Sequence, residues 1–139
     1  MDHTPTMRRF YDRINAGDID GFGRQLAEDF VEREDMPGIA PNKAGTIQFF
    51  QMLTGAFPDL RMVAQDVISS GDKAVARVLM TGTHKGPFMG MAATGKRIEV
   101  KLIDIIRFGD DGRALEHWGV FDQFVMMQQL GAIPEGSPK

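Results

Sequence analysis

The chain has 139 residues, 42% hydrophobic and 25% charged, a balance that fits one soluble globular domain over residues 1–139 and excludes disordered and fibrous classes. A formal net charge of −3 with dispersed Lys and Arg offers no basic field for nucleic acid, and the absence of cysteine excludes disulfides and thiolate metal sites. No apolar run is long enough to span a bilayer and the amino terminus lacks the apolar core of a signal peptide, so a cytoplasmic protein without membrane partners is expected.

Met7, Phe10, Tyr11 and Ile14 recur at helical spacing after Thr4-Pro5, and the Ala16-Gly17-Asp18 stretch stops that first helix. Phe22, Leu26 and Phe30 suggest a second, shorter helix from Ile19, capped by Asp18 or Asp20. "FVEREDM" reads as a short strand and "PGIAPNKAG" as loop. A third helix runs from Lys43 to Ala56 until "FPDL" breaks it, because the residue before a proline avoids helical geometry. From Leu60 onward the period changes to two. Leu60–Ser69, Lys73–His84, Arg97–Phe108 and Arg113–Phe124 read as strands joined by "SSGD", "KGPFMGMAATGK" and "GDDG". Such connections favour antiparallel pairing, so the fold class is α+β, with three N-terminal helices packed on one face of a curved antiparallel sheet.

Alternation sorts the strand residues by face. Ala74, Ala76, Val78, Met80 and His84 share one side, as do Ile98, Val100, Leu102, Asp104, Ile106 and Phe108. Asp104 is the only ionisable member of its row. In "EHWGVFDQF", Glu116, Trp118, Val120 and Asp122 share parity against His117, Gly119 and Phe121. If Trp118, the largest apolar group, points inward, Asp122 goes with it, and Glu116 and His117 are rim or surface groups. Asp104, Asp122 and His84 would then approach one interior space. Each has a plain alternative: a carboxylate that caps a helix or pairs with arginine, a histidine that satisfies a backbone carbonyl.

Other signals are negative. His3, His84 and His117 lack the local spacing of a zinc site, and the aspartates show no calcium-loop pattern, so no metal is expected. "GPFMGMAATGK" fits neither a dinucleotide fingerprint nor a phosphate loop. Its Phe88, Met89 and Met91 look like a lid or contact surface.

"FYDRINAGD", "FPDL", "GTHKGPFMGMAATGKRIEV", "IDIIRFGDDGRALEHW" and "FDQFVMMQQLG", in this order and spacing, resemble the SnoaL-like polyketide cyclase family of the nuclear transport factor 2-like superfamily. The resemblance implies a cone made by a strongly bent sheet wrapped with helices, open at one end to an apolar pocket. It also implies ring closure by intramolecular aldol condensation, without metal or organic cofactor, with an aspartate as general acid and base. Asp122, four positions after Trp118, resembles that aspartate, with Asp104 and His84 assisting. Several relatives carry a histidine where this chain has "IDIIRF", a departure from the pattern. Tyr11, Trp118, Met80, Phe88, Met91 and Phe108 are the expected contacts of a small apolar molecule.

The leading reading is thus a cofactor-independent enzyme that abstracts a proton from a small apolar carbonyl compound. The alternatives are a noncatalytic binding module and an isomerase or hydrolase using an Asp/His pair. Val75, Leu79, Ile103, Ile105 and Phe121 fall on the outer faces of the strands and lead to the expectation of a homodimer through the sheet.

Overall fold

The computed structural model describes residues 1–134. Helix α1, Thr4–Asn15, buries Met7, Phe10, Tyr11 and Ile14, the apolar stripe of its sequence. Its last residue, Asn15, donates to the Met62 carbonyl and accepts from the Met62 N–H, which fastens the helix to the edge of the sheet. Helix α2, Ile19–Arg24, is capped by Asp18, whose side chain accepts from the Gly21 N–H. It is shorter than its apolar spacing suggests. Leu26 and Phe30 lie instead in strand β1, Leu26–Glu32, where both are buried. Helix α3, Lys43–Ala56, has the bounds read from the sequence, with Asn42 as its cap.

The remaining strands are β2, Arg61–Ser70; β3, Lys73–Thr83; β4, Arg97–Phe108; and β5, Ala114–Phe121. Their order in the sheet is β1-β5-β4-β3-β2. The last four form the antiparallel meander, whereas β1 pairs parallel with β5, so the curled sheet is mixed. β5 ends three residues earlier than its alternation implies. The chain then turns into helix α4, Gln123–Gln129, whose Gln129 amide bonds both the N–H and the carbonyl of Glu99 on β4.

The core lies between the helices and the inner face of the sheet. Ala74, Ala76, Val78 and Met80 of β3 and Ile98, Val100, Leu102 and Ile106 of β4 are all buried, as their parity requires. Burying each large aliphatic side chain of this set contributes roughly 1.5–3 kcal/mol. On β5 the parity runs opposite to the expectation: His117 faces inward, and Trp118 stands half-buried on the outer face beside Ile105, its pairing partner. Among the described residues, no helix is long and apolar enough to cross a membrane.

Candidate active site

The sheet and helices leave an apolar pocket. Phe22, Phe30, Phe49, Phe50 and Phe121 form much of its wall, and its charged lining residues are Glu32, Glu34, Asp104 and His117. These four come from two neighbouring strands, β4 and β5, and from the end of β1 with the residues just beyond it.

A chain of hydrogen bonds joins them. The Tyr11 hydroxyl, projecting from α1, donates to Asp104 Oδ2 at 2.7 Å. Asp104 Oδ1 lies 2.8 Å from His117 Nε2, and His117 Nδ1 lies 2.5 Å from Glu32 Oε2. The same Glu32 oxygen accepts the backbone N–H of Glu34. Ala76 is the β3 neighbour of Asp104, and its methyl side chain fills the inner face there without a competing polar group.

Burial alone would disfavour a protonated imidazole, but hydrogen bonds and attraction from Asp104 and Glu32 outweigh it and push His117 up to about 10. His117 is therefore a cation at neutral pH. Tyr11 is shifted upward, first by burial and then by the Asp104 charge and hydrogen bond, so it remains a donor. Glu34 is raised to about 7, first by burial, then by the neighbouring Asp104 and Glu32 charges, against the opposing pull of His117.

Gly119 makes this crowding possible. A Cβ at that position would stand 2.5 Å from Glu34 Oε1 and 2.7 Å from His117 Cε1, closer than real contacts permit. The glycine in the strand interior marks a place where other groups approach the backbone.

The structure brings together some of the expected residues and separates others. Tyr11, Met80, Phe88 and Asp104 line the pocket. Asp122 does not. It is exposed beyond the end of β5, and its Oδ1 accepts the Val125 N–H as the cap of α4, which corrects its assignment to the interior. The physical reason is the reversed parity of β5: His117 turns inward to pair with two carboxylates, so Trp118 faces out and the strand ends before Asp122.

His84 is fully buried outside the pocket lining. Its Nδ1 lies 3.0 Å from Thr94 Oγ1 and accepts the Thr94 N–H at 3.2 Å. The ring stacks on Phe57, which in turn packs against Phe88. Met91 pairs with Phe88 in the 85–96 loop and is not part of the pocket lining. Phe108 packs in the core, stacked on His3 with 4.5 Å between ring centroids.

Glu32, Glu34 and His117 escaped the sequence reading. An inward Asp104 on β4 needs compensation from an adjacent strand, and Gly119 beside His117 signals a close approach on that face. Together these favour the opposite parity to the one suggested by tryptophan size alone. Among the described residues, no group of metal-ligating side chains is arranged to hold an ion.

The SnoaL-like polyketide cyclase family matches residues 5–130. The chain belongs to that family. Similar solved structures agree with the assignment. AclR from Streptomyces galilaeus, a proposed hydroxylase, is 26% identical, with 97% of this chain and 84% of that one covered and a TM-score of 0.86. TsrD from Streptomyces laurentii is 31% identical over 91% of this chain and 92% of its own, with a TM-score of 0.81. IdmH from Streptomyces antibioticus, a proposed polyketide cyclase, is 30% identical over 94% and 99%, also with a TM-score of 0.81. Sequence comparison with curated proteins returns no match. Family membership and the curled sheet thus support a cyclase-like role on a small molecule.

Proposed function

We propose that this protein is a cofactor-independent acid/base enzyme that activates a small apolar carbonyl compound for an intramolecular aldol-type cyclisation or a related proton abstraction. The observation that carries the reading is the Tyr11–Asp104–His117–Glu32 chain set into an aromatic pocket. An ionised carboxylate has about four lone-pair sites, and Tyr11 and His117 occupy two of those on Asp104. Asp104 can accept a proton from a carbon next to a carbonyl. Tyr11 then donates to the oxygen on which charge develops, and Glu32 fixes the imidazolium that orients Asp104.

A suitable probe is 2-methyl-2-(3-oxobutyl)cyclopentane-1,3-dione, an apolar triketone that closes by intramolecular aldol addition. Deuterium uptake at its side-chain methyl ketone reports proton abstraction, and bicyclic ketol formation reports closure. Asp104→Asn should lower deuterium uptake by a factor on the order of 10² to 10⁴, the usual contribution of a positioned base. Uptake at the native rate in that variant would overturn the assignment, and a protein that holds the triketone without exchanging it would be a binding module.

The proposed macromolecular partner is a second copy. Ile68, Val75, Ile105 and Trp118 are successive pairing partners on the outer face, in β2, β3, β4 and β5. Ile68 is 62% exposed and nearby Val120 70%. Light scattering at micromolar concentration should return a dimer mass; a monomer mass would argue against sheet-to-sheet pairing.

A further inference from the structure

Resting on the acid/base reading above, we infer that Glu34 is a second catalytic group, the acid that protonates the oxygen formed at closure, so that the reaction is divided between two carboxyl groups. The argument begins with charge. Glu32, Glu34 and Asp104 surround one cation, His117, whose two ring nitrogens are committed to Glu32 and Asp104. Glu34 is the odd carboxyl. Among the described residues its side chain takes part in no hydrogen bond or ion pair, and the pocket contains no second cation. The groups facing it are His117 from β5, Asp104 from β4 and Glu32 from β1; α3 and α4 contribute only uncharged lining residues such as Thr46, Phe50 and Met126. A carboxyl so placed retains its proton near neutrality, consistent with its rise to about 7.

Position completes the case. A point built from Gly119 lies 2.5 Å from Glu34 Oε1 and 2.9 Å from His117 Nε2, so these atoms are at most about 5.4 Å apart, the two distances added. Glu34 is therefore beside the proton-abstracting chain without being consumed by it. Aldol closure needs that division. Asp104 takes the carbon-bound proton, and the resulting enolate carbon forms a bond to the second carbonyl carbon. The electron pair of that C=O moves to its oxygen, which takes the proton from Glu34. The product is a ketol, leaving protonated Asp104 and ionised Glu34. Exchange with solvent at the pocket mouth restores both groups. One carboxylate held against a cation and a second carboxyl without one are an arrangement that allows separate base and acid roles.

The triketone separates the steps. Glu34→Gln should keep deuterium uptake near native while reducing ketol formation by a factor on the order of 10² or more. Native closure should weaken as pH rises through about 7, when Glu34 loses its proton, and the variant should lack that limb. A carbon-13 titration of Glu34 in the native protein should find it well above the ordinary glutamate range near 4.3. Native-rate closure by Glu34→Gln, parallel loss of uptake and closure, or ordinary titration of Glu34 would each overturn the acid assignment. Loss of the base assignment appears separately, as native uptake in Asp104→Asn.

Discussion

His84 and His117 are two inward-facing histidines with opposite employment. His84 is fully buried just beyond β3, and among the described residues its ring meets uncharged partners, Thr94 and Phe57. Nδ1 accepts the Thr94 N–H, and among the described residues the buried Nε2 has no partner. Around it the backbone ladder of the 85–96 loop closes, with His84 bonded to Lys96 and Gly95. His117 sits between two carboxylates and carries charge. Depth therefore does not distinguish a histidine packed among uncharged groups from one held between carboxylates. What the ring nitrogens face does.

The largest test of this contrast is kinetic. Asp104→Asn removes the group His117 orients, and should depress proton abstraction 10²- to 10⁴-fold, whereas His84→Leu should leave abstraction near native. Equal losses in the two variants would erase the distinction.

Stability gives the next largest effect. His117→Ala leaves Asp104 and Glu32 buried without their cation and should cost roughly 3–5 kcal/mol in denaturant unfolding. The pH dependence has a definite sign. His117 is raised in the folded state, so its contribution is complete below about 6.5 and is lost as pH climbs toward about 10. Glu34 is also raised, and its contribution is lost between about 4.5 and about 7. Native stability should thus decline through both windows, and Glu34→Gln should remove only the lower decline. A stability curve flat from neutral to alkaline pH would contradict the charged His117.

His84→Leu should cost less, roughly 1–3 kcal/mol for the unpaired Thr94 N–H, and should make the 85–96 loop easier to cleave in limited proteolysis. Asp122→Ala should show the smallest change. Loss of the α4 cap costs about 1 kcal/mol, with turnover per folded molecule unchanged. Turnover falling by orders of magnitude there would return Asp122 to the chemistry.

The framework was legible because its signals are local. The alternation in β2 to β4 and the apolar stripe of α1 appear in short windows, and "FPDL" marks the end of α3. β1 was harder: Leu26 and Phe30 match a helical period as well as a strand, and the choice is made by a parallel partner some ninety positions away. The site failed at one position. Trp118 and His117 compete to face inward, and size favoured the tryptophan. Electrostatics decided for the histidine, because Asp104 and Glu32 need a cation. Glu34 could not be found by alternation at all, since it lies past the end of β1.

The parallel pairing of β1 with β5 has a consequence for how the molecule assembles. Asp104 and His117 are only 13 positions apart and meet when the β4–β5 hairpin closes, but Glu32 reaches His117 across 85 positions and Tyr11 reaches Asp104 across 93. Long loop closures carry a larger entropic cost and hold folding back. The hairpin can therefore form its ion pair early, while the second carboxylate arrives only when the first strand docks at the sheet's edge. Until then His117 has one counterion instead of two. On the proposed mechanism, activity is thereby tied to the last long-range contacts, and a chain caught partway lacks part of the Tyr11–Asp104–His117–Glu32 chain.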